Sequence, residues 1–411
     1  MIYHENIIVG GGASGLFCAI SAKYRGKDVA IIESTGRVGN KILTTGNGRC
    51  NISNNNITYP FNNYTSANPG FFIDCLNAFS VEDTKNLLLS IGLPLVELDD
   101  GKLFPRSLQA SSVLDILRLT IEEMQIPVYT DCKLKSIKKT KGFLLSTSNQ
   151  DFPEFKCNKL VLSCGGKSAP KTGSDGSGYN FAKKLGHNII DPIPAIVQLK
   201  LDYPYLKALS GIKFNGTAYV IVDGSIIRQD SGEILFTDYG LSGPPILQLS
   251  QIASRALSRN KKTEIKVDMM PEMSYDDVEN FMQGHLSMFP DRTINNAMIG
   301  IINKKLIPTI LKDSKITDIH VPCSELSWNQ KENLIARFKD WTFKCTGTNG
   351  LNNAQLTAGG VDTTEVYPDS LGSKLIDNLY FCGEILDVNG DCGGFNLQWA
   401  WSSGFVVGSK L

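Results

Sequence analysis

The sequence lacks the patterns that mark a metal site, a disulfide framework or a membrane span. Its ten cysteines form no CxxC pair, and its four histidines stand far apart without an HExxH motif. In a chain of 411 residues, scattered cysteines are typical of reduced thiols rather than of disulfides. No apolar run reaches the roughly 18 residues that a spanning helix needs. We therefore predict neither a metal site nor a membrane segment.

The sequence also lacks an excess of either charge. Lysine and arginine together number 41, aspartate and glutamate also number 41, and the isoelectric point is about 6.9. A balanced chain offers no global field to recruit nucleic acid or an anionic membrane. Residues 1–5 carry neither the basic nor the apolar region of a secretory signal. These absences predict a cytoplasmic protein whose partner is a small-molecule substrate, with no nucleic acid and no membrane.

What the sequence does contain is a β–α–β pattern close to its first residue. An apolar strand at 6–9 runs into the turn Gly10-Gly-Gly-Ala-Ser-Gly15, and a helical pattern and a second strand at 29–32 follow. Glu33 ends that second strand, 18 residues after the last glycine of the turn. Strand, glycine turn, helix and distal acid together form the fingerprint of a dinucleotide-binding site.

Each part of this fingerprint has a physical role. Gly10 permits the tight turn, Gly12 leaves room for a pyrophosphate, and Gly15 lets the helix pack close to the strand. The helix N-terminus offers free N–H groups and a partial positive charge to the phosphates. Glu33 can accept hydrogen bonds from a ribose, and its charge repels a 2′-phosphate. The fingerprint therefore favours FAD or NAD over NADP.

Three later segments place small residues where a ligand or another backbone can come close. The stretch at 36–53 is a long loop rich in Gly and Asn, of a length that is usually functional. Cys164-Gly-Gly166 ends an apolar strand, and Gly173-Ser-Asp-Gly-Ser-Gly178 opens a helix whose N-terminus could bind an anion. Without a following β–α–β unit and a distal acid, this last segment is a poor second dinucleotide site.

The pattern of predicted strands and helices changes at about residue 192. Short alternating strands with Gly and Pro breaks give way to helical stretches, and strands then return. From about residue 351 the sequence again shows the pattern of its first part, with apolar strands, glycine loops and a final helix. We predict a discontinuous first domain, 1–191 with 351–411, and an inserted domain, 192–350, with a β part at about 192–270 and 318–350 and a helical part at about 271–317.

Five segments of the chain together match a known family. They are Gly10–Gly15, Lys41-Ile-Leu-Thr-Thr-Gly-Asn-Gly-Arg-Cys-Asn51, Ser163-Cys-Gly-Gly166, Gly383-Glu-Ile-Leu-Asp387 and Gly393-Gly-Phe-Asn-Leu-Gln-Trp-Ala-Trp401. With them the sequence resembles the bacterial NAD(P)/FAD-dependent oxidoreductases, a flavoprotein family that includes aminoacetone oxidase and a 3-dehydro-bile-acid reductase. The resemblance implies bound FAD and an α/β fold. That fold is a Rossmann-like domain of the two-dinucleotide-binding-domain type, with the insertion built as a β-barrel and a helical piece.

The resemblance also implies which positions contact FAD. The expected contacts are Gly10, Gly12, Ala13, Ser14 and Gly15 at the pyrophosphate, Glu33 at the adenosine ribose, Lys41, Thr45, Gly46 and Asn47 along the flavin, the backbone of Leu134 at the adenine, Ser163 and Gly165 over the adenosine side, Gly383, Glu384 and Asp387 at the pyrophosphate and ribityl chain, and Asn396, Leu397 and Gln398 at the pyrimidine end. Cys164 stands where Thr or another small residue is expected, so a contact there would come from the backbone.

The hydride chemistry is expected to come from the flavin, which the chain binds and tunes. The final helix follows Gly393-Gly394, and its first N–H groups are expected to stabilise reduced flavin by about 1–3 kcal/mol. No catalytic acid or base is assigned. The candidates are Cys392 and Cys50, thiols in loops expected near the flavin, and Arg106, which could clamp a substrate carboxylate. Packing roles for the two thiols and a surface position for Arg106 are the alternatives.

We therefore predict an FAD-dependent oxidoreductase that acts on a small organic substrate, with the flavin as hydride carrier and NAD(P)H or O2 as electron partner. An amine oxidase like aminoacetone oxidase and an enone reductase of the steroid or bile-acid type remain open as alternatives. An NAD-only dehydrogenase is less favoured, because it needs no second cofactor segment at Gly383–Asp387. A nucleic-acid-modifying flavoprotein is also less favoured, because the chain lacks a long basic stripe.

Overall fold

The computed structural model describes all of residues 1–411. The helices, labelled α1–α12 in chain order, are Ala13–Tyr24, Ile73–Ala78, Val81–Ser90, Ala110–Glu123, Ser177–Lys184, Leu206–Leu209, Pro244–Ser258, Tyr275–Met288, Ile294–Met298, Ile307–Asp313, Trp328–Lys339 and Phe395–Lys410. The strands, labelled β1–β22, are Ile2–Tyr3, Asn6–Val9, Val29–Ile32, Ser53–Asn54, Tyr64–Thr65, Leu95–Glu97, Lys102–Pro105, Val128–Tyr129, Leu134–Lys139, Phe143–Thr147, Glu154–Cys157, Lys159–Leu162, Ile189–Ala195, Leu199–Asp202, Lys213–Val222, Ser225–Phe236, Gly240–Ser242, Thr263–Asp268, Trp341–Thr348, Leu356–Val361, Leu379–Phe381 and Asn389–Gly390.

Contacts divide the chain into two compact units, each with a hydrophobic core of its own. The discontinuous unit joins Met1–Ile193 to Ala354–Leu411. The inserted unit is Pro194–Asn353. None of the helices combines the length and the apolar character that crossing a membrane requires.

The discontinuous unit is built on a five-stranded parallel sheet with the order β21-β12-β2-β3-β8. Every residue of β2 and β3 is buried, as expected for parallel strands that are covered on both faces. Helix α1 connects β2 to β3, which completes the β–α–β unit predicted from the sequence. The other strands of this unit form a four-stranded sheet, β1-β11-β10-β9, a three-stranded sheet, β4-β7-β6, and the pairs β5-β22 and β13-β20.

The last helix, α12, lies against α1 at very close range because two of its glycines face that helix. A Cβ atom at Gly404 would collide with the carbonyl oxygen of Ser14, and one at Gly408 would collide with that of Cys18. The hydroxyl of Ser21 also donates to the carbonyl oxygen of Phe405 at 2.7 Å. Because Gly404 meets Ser14 and Gly408 meets Cys18, the two helices are parallel. Both N-termini therefore point toward the same side of the sheet.

The inserted unit contains a closed six-stranded barrel with the order β14-β17-β16-β15-β18-β19. Neighbouring strands are antiparallel, and their inward side chains include the buried aromatic residues Phe236, Trp341 and Phe343. The predicted α/β fold with an inserted barrel and helical piece is thereby confirmed.

The secondary structure predicted for the inserted unit is wrong in two places. The stretches at 192–270 and 318–350 are predicted to be β structure, but Leu206–Leu209 and Pro244–Ser258 form α6 and α7 within the first. Within the second, β19 is a strand, but Trp328–Lys339 forms α11. A reciprocal capping box starts this helix: Ser327 accepts from the backbone N–H of Gln330, and the Gln330 side chain accepts from that of Ser327. Such a box satisfies two N–H groups that would otherwise lack partners at the helix start.

Replacing Gly408 with alanine tests the close packing of α12 on α1. Gly408→Ala should lower the free energy of unfolding by about 1–3 kcal/mol, because the new methyl group must displace the Cys18 carbonyl. Urea unfolding followed by circular dichroism measures this change.

The matched control for this test is Gly284→Ala in α8. A Cβ atom at Gly284 meets nothing within 4 Å, and alanine favours a helix over glycine by up to about 1 kcal/mol. We expect this control to be as stable as the unsubstituted chain or more so. Equal stabilities of the two variants would contradict the helix contact described here.

Candidate cofactor site

Four parallel strands of the discontinuous unit end at the same edge of the sheet. Val9 of β2 is in register with Leu162 of β12 and with Ile32 of β3, and Leu162 is in register with Phe381 of β21. The segments that follow these strand ends are the glycine turn, Glu33, Ser163–Gly166 and the Gly383 segment. The carboxyl ends of parallel strands are where open α/β sheets bind their ligands. The sheet thus brings together four segments that the family resemblance implies as contacts of one cofactor.

The three glycines of the fingerprint meet very different surroundings. Gly10 has φ of +106°, and a Cβ atom there would collide with the carbonyl oxygen of Ser163. A Cβ atom at Gly15 would collide with the carbonyl oxygen of Gly10. A Cβ atom at Gly12, in contrast, would meet no atom within 4 Å. Packing therefore explains two of the glycines, and an open space suited to a ligand explains the third.

The start of α1 is open to a ligand that can accept hydrogen bonds. Its N-cap residue is Gly12, in an extended conformation with no side chain to cap the helix. The hydroxyl of Ser14, in the first turn, lies 2.7 Å from the hydroxyl of Ser163 at the end of β12. An uncapped helix start combines N–H donors with a partial positive charge, which suits phosphate groups.

Glu33 is held firmly at the end of β3. It is only 7% exposed, and one carboxylate oxygen accepts from the N–H of Gly11 at 2.9 Å. The other oxygen accepts from the N–H of Thr35 at 2.8 Å. The carbonyl oxygen of Glu33 accepts from the N–H of Cys132, two residues before Leu134. The oxygen that accepts from the Thr35 N–H also accepts from the hydroxyls of Ser34 at 3.1 Å and Thr35 at 2.9 Å. Only the oxygen that accepts from Gly11, with one hydrogen bond, therefore retains a position for a ligand hydroxyl.

Lys41 and Glu384 form an ion pair between segments that are far apart in the sequence. The Lys41 ammonium lies 2.7 Å from Oε2 of Glu384 and donates to the hydroxyl of Ser168 at 2.8 Å. The other carboxylate oxygen of Glu384 accepts from the N–H of Thr357 at 2.8 Å. Ser168 and Thr357 are almost fully buried, so their hydrogen bonds hold the Lys41–Glu384 ion pair in a fixed position. These two supporting residues could not be identified from the sequence, because isolated Ser and Thr carry no motif.

The loop that contains Thr45, Gly46 and Asn47 adopts an unusual backbone. Gly46, Asn47, Gly48 and Cys50 all have positive φ values, between 54° and 82°. The N–H of Cys50 closes the loop by donating to the carbonyl oxygen of Thr45 at 3.0 Å. Positive φ at non-glycine residues is sparsely populated and often marks a functional segment.

The polar side chains of three predicted contacts are already engaged within the chain. Asp387 is fully buried and accepts from the N–H of Ala67 at 2.8 Å. The Asn396 side chain exchanges two hydrogen bonds of 2.8 Å with the backbone of Gly390. The amide of Gln398, also fully buried, bonds to the hydroxyl groups of Ser53 and Thr84 in other segments and of Ser402 one turn along α12. The backbone N–H of Gln398 also donates within the chain, to the carbonyl oxygen of Gly394 at 3.0 Å, so neither its side chain nor its N–H is left for a cofactor.

The three candidate catalytic residues differ in their exposure to solvent. Cys50 is fully buried, and burial raises the pKa of its thiol to about 11, which disfavours a thiolate at neutral pH. Cys392 and Arg106 are both exposed.

Several buried polar atoms of the discontinuous unit have no partner within the chain. They include the hydroxyl groups of Ser174 and Tyr179 and the side-chain oxygens of Asn51 and Asn389. Buried polar atoms in folded proteins nearly always have partners. Together with the open space at Gly12, these atoms fit a large polar ligand, and FAD meets that description. Ser174 and Tyr179 could not be identified from the sequence, where the neighbouring glycines at 173–178 are the signal for this segment.

Comparison with known proteins adds independent findings. A family model described as the HI0933-like protein Rossmann domain matches residues 4–410. The 3-dehydro-bile acid delta(4,6)-reductase of Clostridium scindens is 39% identical over 405 residues, which cover 98% of this chain and 97% of the reductase. The ribosomal RNA dihydrouridine synthase of Escherichia coli is 30% identical over 410 residues, which cover 99% of this chain and 98% of the synthase.

A solved structure shares the fold across the whole chain. The 3-ketosteroid delta1-dehydrogenase of Sterolibacterium denitrificans, solved with 1,4-androstadiene-3,17-dione, superposes with a TM-score of 0.50 at 12% identity. The match covers 100% of this chain and 99% of the dehydrogenase. At this identity the likeness concerns the fold alone.

Substitution of Gly12 separates ligand binding from folding. Because a side chain at Gly12 meets open space, Gly12→Val should fold with an unchanged melting temperature in its cofactor-free form. The same side chain should block the phosphates and weaken FAD binding about 100-fold, a loss of roughly 3 kcal/mol. Fluorescence titration of the cofactor-free protein with FAD measures the affinity.

The contrasting variant is Gly15→Val, whose side chain would collide with the Gly10 carbonyl. We expect this variant to lose stability as well as FAD binding. Full FAD affinity in Gly12→Val would show that the open space at Gly12 is not where the dinucleotide lies.

Proposed function

Because this chain belongs to the HI0933-like Rossmann family and is an FAD-dependent oxidoreductase, we propose that it reduces a carbon–carbon double bond conjugated to a carbonyl group. The proposed substrate is a small 3-oxo compound of the steroid or bile-acid type. The proposed electron donor is NAD(P)H, since a net reduction needs a source of hydride.

The observation that supports this reaction is the chemistry common to two relatives with different substrates. The name of the Clostridium scindens enzyme describes reduction of delta(4,6) double bonds in a 3-dehydro bile acid. The name of the Escherichia coli enzyme describes formation of dihydrouridine, in which the double bond of a uracil ring is saturated. In both cases the double bond is conjugated to a carbonyl. Addition of hydride to the double-bond carbon farther from the carbonyl, the β-carbon of an enone or the δ-carbon of a dienone, and of a proton to its double-bond partner accounts for either product.

A small-molecule substrate is favoured over RNA by the pairing of surface lysines with carboxylates. It is also favoured by sequence identity, which is 39% to the bile-acid reductase and 30% to the synthase. Several lysines on the barrel of the inserted unit have a carboxylate beside them. Lys213 lies 2.8 Å from Glu233, Lys261 lies 3.1 Å from Asp223, and Lys262 lies 3.0 Å from Glu264. Binding of RNA relies on cations that remain available to phosphates. Reduction of a uracil ring in ribosomal RNA is the second candidate, because of the 30% identity to the synthase.

An amine oxidase remains a third reaction that the same cofactor can perform. Both relatives are named for products that gain hydrogen, whereas an oxidase removes hydrogen from its substrate. Reduction is therefore proposed ahead of amine oxidation, and NAD(P)H ahead of O2 as the electron partner.

The proposed mechanism gives the chain the tasks of binding and charge stabilisation. When bound, FAD supplies the hydride chemistry between donor and substrate. The glycine turn and the N–H groups at the start of α1 hold the diphosphate, and Glu33 orients the adenosine ribose. Lys41, fixed by Glu384 and Ser168, offers an ammonium N–H donor that does not need to reorganise during the reaction, while the Glu384 carboxylate balances its charge.

The start of α12 is proposed to stabilise negative charge on the reduced cofactor. Gly393 and Gly394 have φ of +118° and +103°, and Gly394 is the N-cap residue with no capping side chain. A Cβ atom at Gly394 would collide with the carbonyl oxygen of Ser53, so the helix start is held close to β4. N–H groups fixed in this way can contribute about 1–3 kcal/mol to an adjacent anion.

The proposed reaction is tested by oxidation of the reduced enzyme under anaerobic conditions. The holoenzyme is first reduced with NADH or NADPH, which should bleach the flavin absorbance with at least one of the two donors. Addition of a 3-oxo-delta(4) steroid or 3-oxo-delta(4,6) bile acid should then restore the absorbance. Mass spectrometry should show a product that has gained two hydrogens per double bond reduced.

The control substrate is the saturated 3-oxo analogue, which should leave the flavin reduced. Restored absorbance with unmodified ribosomal RNA but with no steroid would favour the second candidate and contradict the proposed substrate class. Bleaching of the oxidised enzyme by aminoacetone, without reoxidation by any enone, would contradict reduction altogether.

A further inference from the structure

A pocket of about 260 Å³ lies in the discontinuous unit, between the loop at 57–61, the corner that joins α2 to α3, and the first turn of α12. Three of its lining residues, Ile57, Phe61 and Leu76, are buried, and Gln398 of α12 is fully buried. Gln398 is also the one lining residue that was expected to contact FAD, and its amide is engaged within the chain. The pocket, called the α2–α3 pocket, is therefore built from residues other than those of the cofactor site.

Hydrogen bonds of the chain itself hold the walls of the α2–α3 pocket. The N–H of Phe61 donates to the carbonyl oxygen of Thr58 at 2.8 Å, which closes the loop into a turn. At the start of α3, the Ser80 hydroxyl accepts from the N–H of Asp83 at 3.2 Å, and the Asp83 carboxylate accepts from the N–H of Ser80 at 2.8 Å. A ligand of this pocket does not have to order these walls, which lowers the free-energy cost of binding.

No charged side chain lines the α2–α3 pocket. Its apolar surface comes from Ile57, Phe61, Leu76 and Val81, and all of its polar side chains are neutral. Tyr59, which is 71% exposed, adds an aromatic ring whose centroid lies 6.2 Å from that of Phe61. Burying an ion without an opposite charge is costly, whereas apolar and aromatic walls favour a ring. The lining therefore indicates an uncharged ligand that contains a ring.

The volume of the α2–α3 pocket limits the size of this ligand. Pockets that enclose drug-sized ligands measure roughly 300–1,000 Å³. At about 260 Å³, the α2–α3 pocket suits one or two rings rather than the four fused rings of a steroid. The pocket therefore fits a second, smaller ligand better than it fits the proposed substrate.

Gln398 connects the α2–α3 pocket to the start of α12. Its Oε1 atom accepts from the hydroxyl of Ser53 at 2.6 Å, and its Nε2 atom donates to the carbonyl oxygen of Ser80, a lining residue, at 3.3 Å. The carbonyl oxygen of Ser53 lies against Gly394, where a Cβ atom would collide with it. One buried amide thus joins a wall of the pocket to the helix start that is proposed to stabilise the reduced cofactor.

We propose that the α2–α3 pocket binds an uncharged compound of one or two rings, which regulates the cofactor site through Gln398 and Ser53. The bound compound holds the α2–α3 corner against Gln398, and this contact fixes the start of α12 in the arrangement that favours bound FAD. By thermodynamic reciprocity, FAD raises the affinity for the ring compound by the same factor. This inference goes beyond the proposed reaction and does not depend on which substrate is reduced.

Calorimetric titration of the holoenzyme with indole tests whether the pocket binds such a compound. Indole is uncharged and has two rings. We expect a dissociation constant of about 1 mM or lower, as for a ligand of roughly nine heavy atoms. Indole-3-carboxylate, the charged counterpart, should bind about tenfold more weakly, because the pocket offers no cation to its carboxylate.

Asn77→Trp tests the position of the indole site. Asn77 lines the pocket but is exposed, so the new side chain can fill the pocket without disturbing the fold. We expect an unchanged melting temperature and indole binding weakened about tenfold or more. The matched control is Asn86→Trp, at an exposed position of α3 that does not line the pocket, and it should bind indole normally. Equal indole affinities in the two variants, or a dissociation constant above about 10 mM in the unsubstituted chain, would overturn the proposed site.

Fluorescence titration of the cofactor-free protein with FAD, with and without saturating indole, tests the regulation. Indole should tighten FAD binding about threefold or more. Ser53→Ala removes the hydroxyl that links Gln398 to β4 but leaves the pocket lining intact. This variant should still bind indole, and its FAD affinity should no longer respond to indole. An FAD affinity that indole leaves unchanged in the unsubstituted chain would overturn the regulatory role.

Competition with a steroid separates this inference from the proposed reaction. The neutral steroid 4-androstene-3,17-dione should leave indole binding to the holoenzyme unchanged. Displacement of indole by this steroid would assign the α2–α3 pocket to the substrate and contradict a second ligand. If the holoenzyme reduces no enone while the indole and FAD titrations give the expected results, the proposed function fails and this inference stands.

Discussion

The alignment of parallel strand ends at one edge of a sheet is the constraint on which the cofactor site depends. Because β2, β3, β12 and β21 are in register and point the same way, their following segments must meet in space. The glycine turn, Glu33, Ser163 and the Gly383 segment are separated by up to several hundred residues in the sequence. No side chain of the site has to bring them together, since the hydrogen bonds of the sheet already do so.

A second constraint is the contact between α1 and α12. The glycines at 404 and 408 allow the backbones of these helices to approach until carbonyl oxygens face bare Cα atoms. This contact ties the last helix to the helix that follows the fingerprint turn. The two uncapped helix starts, at Gly12 and Gly394, therefore belong to one rigidly packed pair. Donors fixed in this way favour an anion without the cost of ordering them during binding or reaction.

The part of the site that could be predicted from the sequence is the part that has a local pattern. The Gly10–Gly15 turn and Glu33 follow from the spacing of one β–α–β unit. The ion pair between Lys41 and Glu384 could not be predicted from the residues, because 343 positions separate its partners and neither is part of a pairing motif. The resemblance to a family placed both residues near the cofactor, but it did not indicate that they bond to each other.

Other differences between sequence and structure have equally specific causes. Helix α11 was overlooked, although Ser327 and Gln330 have the spacing of a capping box, because the flanking strands dominated the local pattern. Ser174 and Tyr179 could not be singled out, because a hydroxyl without a partner is a property of the folded chain. The glycine-rich turn at 173–178 was noticed, but its N–H donors were assumed to be open, and only the structure shows that they are used.

The most direct test of this account is the identity and amount of cofactor that the purified chain carries. The protein is denatured, the released compound is identified by chromatography, and the amount is compared with the protein concentration. The account predicts FAD in a ratio approaching one per chain, either as purified or after added FAD has been taken up. A colourless protein that takes up no FAD, or one that binds FMN in preference to FAD, would contradict it.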